Sequence, residues 1–98
     1  MGKRKVTILD IASDAVAEAA FFVEAKGLPQ TAKEFVTKAF KFFNNLSDDR
    51  IEHHSCTYPP WKSLNYRCVT YKKYAVAYLY FNDEIVICEF VPSKLIYW

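Results

Sequence analysis

Between His53 and Asn82 the chain carries no carboxylate, yet Lys62, Arg67, Lys72 and Lys73 all fall there, while most of the acidic residues precede it. Trp61, Tyr66, Tyr71 and Tyr74 interleave with these cations, the pairing of stacking rings and charge that single-stranded nucleic-acid binders use. Strand packing explains the same aromatics equally well. A solvated turn that keeps a hairpin from aggregating explains Lys72 and Lys73, and Arg67 suits either a phosphate contact or an ion pair at a strand edge. His53, His54 and Cys56 offer imidazole and thiolate, which are good zinc ligands. Their spacing is poor and no fourth ligand is evident, so neither a metal nor a cofactor is expected.

These side chains need a scaffold, and the hydrophobic pattern supplies one. Val6, Ile8 and Leu9 read as a short strand, after which Asp10, Ser13 and Asp14 bring capping chemistry. Ala15, Val16, Ala19, Phe22 and Val23 recur at three- and four-residue steps, predicting a helix over Asp14 to Lys26 that Gly27 stops. Pro29 and the Thr31/Glu34 capping-box spacing are competing starts for a second helix. Its core stripe is Ala32, Phe35, Val36, Ala39, Phe40, Phe43 and Leu46, with Lys33, Lys38 and Lys41 facing elsewhere. The connection at Gly27 to Pro29 is so short that the helices must return as an antiparallel hairpin.

From Ser47 through Pro60 no period is sustained, and a long loop is expected. Tyr66–Tyr71, Tyr74–Phe81 and Ile85–Val91 are rich in Val, Ile, Tyr and Phe, with Lys72-Lys73 and Asn82-Asp83 between them. They predict an antiparallel meander. The middle strand is apolar on both faces, one covered by the helical hairpin and the other lined by Tyr78 and Tyr80, which makes that tyrosine face a candidate for binding.

At 98 residues the chain fits one domain, 1–98, and a domain of this size buries only about 60 to 65% of its unfolded surface. A hydrophobic fraction of 52%, with 17% aromatic, argues against disorder. No apolar stretch approaches the roughly 20 residues of a membrane-crossing helix, and Asp10 and Asp14 break up the run that a signal peptide would need. Cys56, Cys68 and Cys88 are odd in number and widely spaced, so buried free thiols are expected rather than a disulfide framework, and with them a reducing cytoplasm. The net charge of +2 is too small to name a polyanion partner by itself.

The order strand, helix, helix, proline-containing loop and three strands resembles the RelE/ParE superfamily of bacterial toxins over nearly the whole chain. Leu64, Asn65, Tyr66, Arg67, Cys68 and Val69, followed by Tyr74 and the run Ala75 to Tyr80, carry the local likeness. An arginine likewise precedes an aromatic that opens the central strand in the ParE-like branch. The resemblance implies an α+β fold, β-α-α-β-β-β, with the N-terminal strand and helical hairpin packed on an antiparallel sheet. It also implies a toxin silenced by a cognate antitoxin in a plasmid-stabilisation module, with a homodimer as a further form.

RelE-like members cut messenger RNA on the ribosome, whereas ParE-like members block DNA gyrase without catalytic residues. For the first activity the resemblance nominates Arg67, Lys94 and Tyr97 as catalytic, the last near the position of a C-terminal tyrosine used by such nucleases. Trp61, Lys62, Arg67, Lys72 and Lys73 are the residues expected to touch the target. The basic cluster of the nucleases and the arginine-rich tail of the gyrase inhibitors are both missing, so the target stays open, and a non-toxic interaction module is the alternative.

Overall fold

A computed structural model describes residues 5–47 and 55–96. Its elements are β1 (Lys5–Ile8), α1 (Asp10–Ala25), α2 (Pro29–Asn45), a single turn α3 (Pro59–Lys62), β2 (Arg67–Tyr71), β3 (Tyr74–Phe81) and β4 (Glu84–Pro92), followed by a 3₁₀ turn over Ser93–Leu95. The strands form one sheet in the order β1-β4-β3-β2. β2, β3 and β4 make the expected antiparallel meander, but β1 adds to the free edge of β4 in parallel, with Val6 opposite Ile85 and Ile8 opposite Ile87. The sheet is therefore mixed, a correction to the fully antiparallel expectation. A parallel neighbour needs a long crossover, which everything between β1 and β4 provides.

Helix α1 begins four residues before the expected Asp14. Leu9 is still extended (φ −69°, ψ 151°) because its N–H donates to the Ile87 carbonyl at 3.0 Å, and its own carbonyl accepts from Ala12 and Ser13. The helix starts directly off the strand without a side-chain cap, and Asp10 in the first turn faces the positive end of the dipole. Gly27 (φ +85°) ends the hairpin connection, and Pro29 opens α2 at its first turn. Asn82 and Asp83 both take positive φ (52° and 60°), the geometry of a two-residue hairpin turn whose twist matches the strands.

One face of the sheet carries the helices. Ala12 and Val16 of α1, Ala39 and Phe43 of α2, and Leu46 pack with Val76, Tyr78, Ile85, Ile87 and Phe90. Rings dominate this contact: Phe35 lies 5.7 Å from Tyr74, Phe43 lies 5.9 Å from Phe90, and Tyr74 stacks on Phe90 at 4.6 Å. Phe35 and Phe43 thus lie against the β-layer as their spacing predicts, while the half-buried Phe40 packs edge-on against Phe43 at 5.7 Å. Tyr78, at 1% exposure, is part of this core, so the tyrosine face proposed for binding is the inner one.

Phe22 departs from its expected place. It is 60% exposed, because the buried ridge of α1 runs through Ala12, Val16 and Ala20, and Phe22 sits two residues on, nearly opposite Ala20 around the helix.

The opposite face is covered by the chain itself. Cys56, Trp61 and Ile96 bury Ala75 and Ala77, with Tyr58, Tyr66, Cys68 and Val91 packed around them. Ser55 bridges Arg67 and the Cys56 N–H donates to the Tyr66 carbonyl at 2.9 Å, so this stretch of the expected loop doubles back along β2. That return joins Cys56 to Cys68 in a disulfide (Cα–Cα 5.1 Å) and leaves only Cys88 as a free, buried thiol. The expectation of three free thiols is corrected: a spacing of 12 residues says nothing of pairing, whereas a segment folded back on an edge strand sets two Cβ atoms face to face.

Candidate anion-binding cleft

The β2–β3 turn brings Lys72 and Lys73 to one end of the sheet, with Lys72 in the left-handed region (φ 55°). Tyr74 pairs with Pro92 at that same end, and the Ser93 N–H donates to the Lys73 carbonyl at 2.9 Å, which ties the 3₁₀ turn to the hairpin tip. Lys94 on that turn therefore lies beside Lys72 and Lys73. The C-terminal end of α1 adds Lys26. Together with Thr70, Tyr74, Pro92 and Ser93, these four lysines line an open cleft of about 780 Å³.

Among the described residues no carboxylate lines the cleft, so its lysines set a positive local potential. Ser93 is one of its lining residues, and its Oγ is buried with no hydrogen-bond partner among the described residues. A buried hydroxyl in that state is costly unless it finds a partner, and an anionic oxygen that reached it would accept its hydrogen bond. Lys72 Nζ also sits 5.6 Å from the Tyr71 ring centroid, a cation–π contact that holds it near the rim. The cleft can gather and neutralise phosphate oxygens. Among the described residues it contains no imidazole or carboxylate to act as a general base.

The residues nominated from sequence are divided among separate places. Lys72, Lys73 and Lys94 meet in the cleft. Arg67 is half-buried at the opposite end of β2, paired with Tyr78, roughly 16 Å from Lys72 at the rise of a strand. Lys62 is exposed on α3 and lines a different hollow with Thr57, Pro59, Ser63 and Asn65. Trp61, at 6% exposure, packs edge-on to Tyr58 at 5.3 Å, so its ring is a core element and offers no stacking surface. Tyr97, His53 and His54 lie outside the described residues.

Lys26 was not anticipated as a site residue. A lysine just before a helix-stopping glycine is a weak sign, because which end of the sheet the hairpin meets is decided by tertiary packing.

A second group of titratable side chains lies on the capped face. Burial pushes the Tyr66 hydroxyl and the Cys88 thiol up from their ordinary values, and the two are hydrogen-bonded to one another. Burial also raises the Glu89 carboxyl. A raised thiol stays protonated and is a poor nucleophile, so Cys88 is structural rather than reactive.

Compared with protein-family models, curated proteins and solved structures, the chain matches none of them. What the geometry defines is an α+β protein with a helical hairpin on one side of a mixed four-stranded sheet, a disulfide-tied cap on the other, and a lysine cleft at one end.

Proposed function

We propose that the chain is the toxin of a type II toxin–antitoxin module, acting in the cytoplasm and held silent by a cognate antitoxin. The lysine cleft carries the choice of target: four lysines, with no carboxylate among the described lining residues, suit a polyanion, so ribosome-bound message is favoured over gyrase. Lys26, Lys72, Lys73 and Lys94 would hold phosphates and Ser93 would donate to one of them. Arg67 and Tyr97 keep a part in this reading only if bound RNA extends along β2.

The antitoxin would lie on the helical hairpin, since both sheet faces are occupied by the chain's own residues. Ile11, Phe21, Phe22 and Leu28 are 63%, 64%, 60% and 49% exposed there, and an amphipathic segment that folds on binding would cover them. The same stripe favours the second reading, a non-toxic interaction module, because it binds a partner without any chemistry.

Expression of the chain in a bacterial host tests the proposal. Growth arrest relieved by the neighbouring reading frame, with transcripts cut within translated regions, is the expected result. Arrest with an intact message pool and relaxed or trapped plasmid DNA would move the target to gyrase. Unimpaired growth would leave the interaction module.

A further inference from the structure

The cap lies over the small side chains of Ala75 and Ala77, flanked by Cys68 and Val91 of the neighbouring strands, so no large sheet ring interlocks with it. Its attachments are the Ser55–Arg67 bridge, the Cys56 N–H bond to the Tyr66 carbonyl, the seating of Trp61, and the Cys56–Cys68 disulfide. Apart from the peptide link of Tyr66 to Arg67, only the last is covalent. Ile96 belongs to the same buried cluster as Cys56 and Trp61, and its N–H donates to the Ser93 carbonyl at 3.2 Å. The cap is thus the surface against which the C-terminal turn packs, and that turn carries Ser93 and Lys94 into the cleft.

We propose that the Cys56–Cys68 disulfide is a redox latch on the lysine cleft: oxidation clamps the cap, seats Ile96 and holds Lys94 and Ser93 in place, and reduction loosens all three. Cys56 is 1% exposed whereas Cys68 on the edge strand is half-buried, which makes Cys68 the more accessible of the two residues to an incoming thiolate. With a dithiol reductant of the thioredoxin class, that thiolate forms a mixed disulfide with Cys68 as the old S–S bond breaks. Cys56 leaves as a thiolate and takes up a proton. The reductant's second thiol then releases Cys68 as a thiol, leaving the reductant oxidised and the chain with two more thiols. Cys88 stands apart from this exchange, 3% exposed, its thiol donating to the Val86 carbonyl at 3.3 Å. In a reducing compartment a bond of this kind is transient and redox-sensing rather than a permanent staple.

The latch rests on the reading of the cleft as a polyanion site, and the test separates the two. The full chain carrying Trp98→Phe would be compared air-oxidised, treated with dithiothreitol, and as the Cys56→Ser/Cys68→Ser variant. Alkylation after denaturation should label one cysteine in the oxidised chain and all three in the reduced chain. Reduction should speed amide exchange over 55–66 and 93–96, shift Trp61 fluorescence, and weaken binding of a short fluorescein-labelled single-stranded RNA roughly three- to tenfold, the scale of one lost charged contact. The double variant should behave as the reduced chain whatever the redox conditions. Faster exchange at 93–96 with RNA bound by neither form would support the latch and remove the polyanion reading. Three labelled cysteines in the oxidised chain, or exchange at 93–96 unchanged by reduction, would overturn the latch.

Discussion

On one face of the sheet Phe35, Phe42, Phe43 and Phe90 interleave with Tyr71 and Tyr74 beneath two long helices, whereas on the other Ala75 and Ala77 meet a single tryptophan, an isoleucine and a disulfide. The first face is held by many ring contacts, stacked, tilted or edge-on, at separations where aromatic pairs attract. The second has few contacts and substitutes a covalent bond for them. One closure is a distributed hydrophobic core that no single contact controls. The other is a smaller cluster with one covalent cross-link, set toward the end of β2 away from the lysine turn.

Removing the centre of the helix-side core should have the largest effect. Phe43 is fully buried and touches Phe40, Phe42 and Phe90, so Phe43→Ala should cost about 3 to 5 kcal/mol in urea unfolding. A loss below about 1 kcal/mol would mean that the rings do not carry this face. Opening the other face by Cys56→Ser/Cys68→Ser should cost about 2 to 4 kcal/mol in the same experiment under oxidising conditions, because the bond closes a loop of 12 residues in the unfolded chain. Under dithiothreitol that difference from wild type should vanish.

The cleft should respond in binding and not in folding. Both turn lysines are exposed, so Lys72→Glu/Lys73→Glu should lower single-stranded RNA affinity by roughly tenfold or more and flatten its salt dependence, with unfolding changed by about 0.5 kcal/mol at most. Phe22→Ser on the outer helix face should leave stability within about 0.5 kcal/mol while abolishing capture of the antitoxin.

The smallest effect concerns pH. Burial raises the Glu89 carboxyl in the folded chain, so the folded state holds its proton more tightly than the unfolded one. Stability should therefore fall as pH rises from the ordinary glutamate value of 4.5 through the raised folded value. Glu89→Gln should flatten that part of the unfolding profile; an unchanged slope would mean the carboxyl is not desolvated.

The same contrast separates what was legible in the residues from what was not. The helix-side face could be read because its parts are periodic: Phe35, Phe40 and Phe43 mark one stripe, and β3 falls over Tyr74–Phe81 as predicted. The capped face could not, because the segment around Cys56, Tyr58 and Trp61 has no period and acquires its place only by pairing with β2 and packing on residues far along the chain. The parallel alignment of β1 was hidden for a related reason, since strand direction at a sheet edge is set by the whole crossover. In the cleft, Lys72 and Lys73 were visible as a turn and Lys94 through the resemblance. Lys26 and the unpartnered Ser93 hydroxyl appear only when the end of α1 meets the end of β4.

Growth after induction of wild type and of Lys72→Glu/Lys73→Glu at matched soluble levels decides whether the cleft gives the chain its proposed toxicity toward a polyanionic target. Arrest by the wild type and growth of the variant like the empty-vector control is the predicted result. Equal arrest by both, or normal growth with either, would contradict it.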